Sequence, residues 1–210
     1  MSNYQLNIVI NAADLSTIYA ANESIILIKS SEGEKPFSWL SFKPFESNLV
    51  TWAEDYSIYT TNQTESSGTI INFFTHEPAV PSQNYNFLND GTFSQPNPVP
   101  IGASSYQITN QNTSVLDLSF GLIQAANVNG VDFENNPINV QFVPQNQYVI
   151  FKPLTQLAIF LASNISAGTV ISPDSESGVI SQSTAITFPN GVYEITVTYN
   201  ASTGGFVQNS

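Results

Sequence analysis

The chain has no cysteine and no arginine, and its 210 residues include only four lysines, one histidine and one methionine. Each shortage excludes a class of chemistry. Without cysteine there is no disulfide, no thiolate nucleophile and no Cys-ligated zinc or iron–sulfur centre. His76 is the single imidazole, so multi-histidine metal sites are excluded, and any Ser-His-Asp triad would have to use it. No GxSxG nucleophile turn occurs. Four lysines against sixteen acidic residues leave a formal charge of −12. Nucleic-acid binding requires clustered cations that displace counterions from phosphates, so nucleic acid is excluded as a partner and anionic membrane surfaces are disfavoured. No run of eighteen apolar residues is present, so no transmembrane segment is expected. The opening stretch MSNYQLNIVINAADLST has neither a basic leader nor a long apolar core. The expectation is cytosolic synthesis without a signal peptide, followed by retention, lysis or release by a non-classical route.

What is there is apolar enough to build a core and polar without being charged. Hydrophobic residues make up 41% and charged residues 10%, with Ser, Thr, Asn and Gln supplying the rest of the surface. Short alternating or apolar runs recur between Asn, Gly, Pro and Ser, the signature of a sandwich. In the first half they are Tyr4–Asn11, Ser24–Lys29, Phe37–Phe42, Asn48–Trp52, Tyr56–Thr61, Thr69–Phe74 and Ser105–Thr109. In the second they are Ser114–Phe120, Ile138–Val143, Gln147–Phe151, Leu157–Ala162, Gly168–Ser172, Thr184–Phe188 and Val192–Tyr199. Asn190-Gly191 lies between the last two and predicts a hairpin turn with positive φ. One short helix is predicted around Ala13–Ala21.

Two of the four lysines sit in the same tripeptide, Phe42-Lys43-Pro44 and Phe151-Lys152-Pro153. Aligned on it, Tyr56–Asn62 falls on Leu157–Ser163, Ser66–Ile71 on Ser166–Ile171, and Tyr106–Thr109 on Tyr193–Thr196, in the same order. The expected fold is all-β: two homologous β-sandwich-like repeats, 1–110 and 111–210, packed about a pseudo-twofold axis with little or no helix. In this alignment the first repeat carries about nine extra residues, including Val50, Trp52, Glu54 and Asp55. It also carries a longer segment over 75–100 that contains His76 and reads as an ordered loop.

These differences nominate Trp39, Trp52, Glu54, Asp55, Tyr59 and His76 as ligand-binding residues. Strand alternation puts Leu40 and Phe42 on one face and Trp39, Ser41 and Lys43 on the other, leaving Trp39 outward. Aromatic faces stack on sugar rings, although the same residues also serve as packing between sheets. The acidic pairs Glu32/Glu34, Glu54/Asp55, Asp132/Glu134 and Asp174/Glu176 offer oxygens to calcium, but without EF-hand spacing they read first as solvated loops. No other cofactor is expected. The functional expectation is a non-enzymatic, lectin-like protein that binds glycans or another cell-surface ligand, with self-association into a homo-oligomer compatible with that role. One alternative is a toxin-like effector assembling on target membranes. Another is a glycoside hydrolase working with a pair of carboxylates.

Overall fold

The computed structural model describes residues 3–29, 31–33, 35–171 and 181–209. In chain order the strands of the first half are β1 (Asn3–Val9), β2 (Ser24–Lys29), β3 (Phe37–Phe42), β4 (Ser47–Ala53), β5 (Tyr56–Thr61), β6 (Thr75–Ala79), β7 (Gln83–Phe87), β8 (Asn97–Pro98) and β9 (Tyr106–Asn110). Those of the second are β10 (Ser119–Val128), β11 (Val131–Pro137), β12 (Gln141–Phe142), β13 (Tyr148–Phe151), β14 (Leu157–Ala162), β15 (Thr169–Val170), β16 (Thr184–Ile186), β17 (Glu194–Asn200) and β18 (Gly205–Gln208). The one helix among the described residues, α1 (Ala12–Ala20), lies one residue from its predicted place. Its alanines favour helix, and Asp14 complements the positive end of the dipole. The chain is all-β, and no helix among the described residues is long and apolar enough to cross a membrane.

The strands form three sheets. The largest runs β18-β17-β1-β4-β10-β5-β6, with β11 and β12 also on β10. A five-stranded sheet runs β15-β3-β2-β14-β16, and a four-stranded one runs β13-β9-β7-β8. Every sheet takes strands from both halves of the chain. The main core contains Leu6, Ile8, Ile25, Leu27, Val50, Ile58, Leu122 and Ile159, all fully buried. A smaller core around Phe37, Tyr59 and Ile123 lies on the other face of β5 and β10.

Two groups of strands pair in similar ways. β1 pairs antiparallel with β4, Tyr4 opposite Trp52, and parallel with β17. β9 pairs antiparallel with β13, Tyr106 opposite Phe151, and parallel with β7. β2 lies against β14 with Leu27 opposite Ile159, and β10 against β5 with Leu122 opposite Ile58. β5 and β14 share one pattern of buried and half-buried positions. The two S-x-G-T segments meet each other: Ile70 bridges Thr169, the Gly68 N–H donates to Val170 O at 3.0 Å, and the Ile71 N–H donates to Gly168 O at 3.0 Å.

Several expectations are corrected. The two FKP stretches do not occupy matching places: Phe42 ends β3 inside the five-stranded sheet, and Phe151 ends β13 at the edge of the four-stranded one. Asn190-Gly191 does form a turn, closed by Val192 N–H to Pro189 O at 2.9 Å. Its arms are not a hairpin, because β16 joins β14 while β17 joins β1 and β18. A two-residue hairpin turn stands instead at Asn129-Gly130, both with positive φ, between β10 and β11. Thr69–Phe74 is not a strand, and Ser114–Phe120 becomes one only at Ser119. The segment 75–100 is not one long loop, since it contributes β6, β7 and β8. Pro78 is accommodated because β6 is an edge strand, where the missing N–H is not needed.

Candidate functional site

A departure from simple alternation occurs in β3. Leu27 of β2 faces Leu40, but the next residue, Ile28, faces Ser38, so Trp39 is an extra residue in β3. Such a bulge turns consecutive side chains toward one side. Trp39 therefore joins Leu40 in the main core and is fully buried, not outward as alternation predicted.

What Trp39 meets there is a lysine. Ile25, Leu27 and Lys29 share the core-facing side of β2, and Lys29 is fully buried. An unpaired buried ammonium would be prohibitively costly, and this one is fully provided for. Its Nζ donates to Glu54 Oε1 at 3.0 Å, to Tyr56 Oη at 3.1 Å and to Gln124 Oε1 at 2.5 Å. It also lies 5.3, 5.9 and 5.2 Å from the ring centres of Trp39, Trp52 and Tyr56, within cation–π range. Desolvation lowers the Lys29 pKa to about 8; the nearby Glu54 charge and, to a lesser extent, Asp55 oppose that shift.

The walls of this cage are themselves held. Trp39 Nε1 donates to Gln124 O at 3.1 Å, and Gln124 Nε2 donates to Ala53 O at 2.6 Å. Glu54 follows β4 and accepts at one oxygen from Lys29 and from Trp52 Nε1 at 3.2 Å. Its other oxygen accepts from the Tyr56 hydroxyl. Three donors from three strands thus fix one carboxylate.

Glu54 is also where the buried group meets water. Its side chain retains 24% exposure, while that of Lys29 retains none. It lines a cleft of about 300 Å³ together with Tyr4, Tyr56, Tyr106, Ser104 and Thr155, and with two prolines, Pro81 and Pro153. Tyr4 stacks on Trp52 at 5.4 Å, and Tyr106 meets Tyr56 edge-on at 5.6 Å. Burial, reinforced by the Glu54 charge, pushes the Tyr106 hydroxyl up to about 12 and that of Tyr56 well above its ordinary value. These phenols stay protonated at any physiological pH.

Of the six nominated residues, the structure brings three together: Trp39, Trp52 and Glu54. Trp39 and Trp52 are both buried behind the carboxylate, so neither presents an exposed ring. Asp55 is exposed and turned away, lining a separate groove with Asp132 and Glu134. Tyr59 is fully buried in the smaller core, packed on Phe73, with its hydroxyl donating to Asn139 O at 2.5 Å. His76 is exposed on β6 against Phe73 and does not line the cleft. Among the described residues no three His, Asp or Glu side chains converge as a metal site. Glu34, Asp174 and Glu176 lie outside the described residues.

Lys29, Tyr4, Tyr106 and Gln124 were not nominated from the sequence. The signal for two of them is visible: a lysine in the core register of SIILIK, and a glutamine in the core register of the run from Phe120 to Val128. Comparisons with family models, with curated proteins and with solved structures find no match.

Proposed function

We propose that the chain is a saccharide-binding protein whose site is the cleft ending at Glu54. The observation that carries this reading is the setting of Glu54: a carboxylate acceptor, pre-positioned by Lys29, Trp52 and Tyr56, in a tyrosine-walled cleft. A sugar offers hydroxyl donors on its rim and C–H groups on its faces, which match a carboxylate acceptor and phenol rings. The hydroxyls of Ser104 and Thr155 add further polar partners. Among the described residues Glu54 is the one carboxylate lining the cleft, which does not favour the paired-acid chemistry of a glycosidase.

The same reading takes the two strand arrays as an internal duplication. β1 corresponds to β9, β2 to the first part of β10, β4 to β13, and β5 to β14. Lys29 then corresponds to Gln124 and Tyr4 to Tyr106, and both pairs lie at the cleft end of the molecule where the two arrays meet. Junctions between repeats are common places for ligand pockets.

The test is a glycan array of neutral oligosaccharides, followed by titration of any sugar retained. Glu54→Gln and Tyr106→Ala should each weaken binding about tenfold or more. Retention of no neutral glycan, or a retained glycan indifferent to both changes, overturns the reading.

A further inference from the structure

The cage around Lys29 has the composition of an ammonium-binding site: Trp39, Trp52 and Tyr56 rings with the Glu54 carboxylate at one side. Such cages ordinarily hold a cation brought by a ligand. Here the chain's own lysine fills it, entering from β2 and sealed from solvent. The arrangement has a consequence at the cleft. Glu54 carries one negative charge, and an ammonium 3.0 Å behind it carries one positive charge. A ligand arriving from solvent meets acceptor lone pairs but little net charge. A cationic ligand would be attracted by Glu54 and repelled by Lys29 at nearly the same range, and in a partly dry cleft neither effect is well screened.

We propose that Lys29 is the specificity-determining residue of the cleft: its caged ammonium cancels the charge of Glu54, so the cleft accepts neutral hydroxylated ligands and rejects amines. Loss of that ammonium turns the same cleft into a cation site. This inference rests on the saccharide reading for the identity of the neutral ligand, but not for the behaviour of the charge. Gln124 and Tyr56 also contact Lys29, and Asp55 acts on it from a distance. Among the tyrosines at the cleft, Tyr4, Tyr56 and Tyr106 all have raised pKa values, so alkaline titration reaches Lys29 before them.

The experiment uses two probes of one shape, choline and its uncharged isostere 3,3-dimethylbutan-1-ol, titrated by tryptophan fluorescence. At pH 6.5 the wild-type protein should show no preference for choline. Lys29→Met keeps the length and apolar stem of the side chain without its charge, and should prefer choline by at least about tenfold. Adding Glu54→Gln to that variant should abolish the preference. If Lys29→Met fails to fold, wild-type protein at pH 9.5 provides the same neutral lysine and should show the same gain. A folded Lys29→Met protein, or wild type at pH 9.5, without choline preference overturns the inference. Failure of the saccharide reading looks different: no neutral glycan binds wild type, while the choline preference of Lys29→Met still appears.

Discussion

Two strands of this molecule invite comparison, Ser24–Lys29 with the sequence SIILIK and the start of β10, Ser119–Gln124, with the sequence SFGLIQ. Leu27 lies opposite Ile159 and Leu122 opposite Ile58, in corresponding ladders. Both strands end in a long polar side chain turned into the main core. One carries an amine and the other an amide, and the two touch, Nζ to Oε1, at 2.5 Å. A symmetric arrangement could not serve: two amines would repel without water between them, and two amides would leave Glu54 without a counter-ion. The same asymmetry continues outward. Trp52 is followed two positions on by Glu54, whereas Phe151, opposite Tyr106 as Trp52 is opposite Tyr4, is followed by Lys152 and Pro153. Pro153 has no charge to offer the cleft it lines. The difference teaches that similar backbones can supply a site with one ionic side and one neutral side.

The comparison is broken most severely by making the two strands alike. Gln124→Lys places a second ammonium beside the first in a fully buried position and should cost roughly 4 kcal/mol or more, enough to threaten folding. Urea denaturation checks it, and near-native stability would mean that the cage is wetter than described. Next in size is Glu54→Ala, which strands Lys29 among aromatic rings. Breaking a buried pair costs about 3–5 kcal/mol, and the lower end is expected because water reaches this carboxylate.

The smallest effect needs no mutation. The folded-state pKa of Lys29 is about 8, against 10.5 in the unfolded chain. Between those values the unfolded state binds more protons, so stability rises with pH and is lost as pH falls back through the folded value. Above about 10 the raised tyrosines oppose the trend, because the unfolded state then loses phenolic protons first. From pH 8 to 10 the urea midpoint of the wild type should therefore increase, by on the order of 2 kcal/mol in stability. Lys29→Met should remove that rise.

The all-β class and the helix were legible from residue patterning alone, because short alternating runs and an alanine-rich segment have local causes. The arrangement of the strands was harder to read. The tripeptides Phe42-Lys43-Pro44 and Phe151-Lys152-Pro153 are conspicuous in the sequence, but they stand at the ends of strands in different sheets. Their lysines also differ in contacts: Lys43 Nζ donates to Asn22 O and Glu23 O at 2.9 and 3.0 Å, whereas Lys152 Nζ donates to Glu32 Oε2 at 2.6 Å. Trp39 was misplaced for another reason. A bulge depends on which residue the neighbouring strand skips, and that is a property of the pair of strands, not of either sequence. Gly121 makes the same point. A Cβ there would come within 2.3 Å of Asn139 O and 2.6 Å of the Tyr59 ring, a conflict visible only after the strands have met.

The parallel pairing of β1 with β17 bears on how the molecule is made. Leu6 and Ile195 stand side by side in that ladder, and β7 and β9 close the smaller sheet in the same manner across a shorter stretch of chain. Bringing such distant segments together costs loop-closure entropy before any contact can offset it. Folding should therefore be slow for a chain of this size. Until β17 arrives, β1 has one edge unpaired, and the interval between synthesis of the two strands is when the protein is most exposed to aggregation.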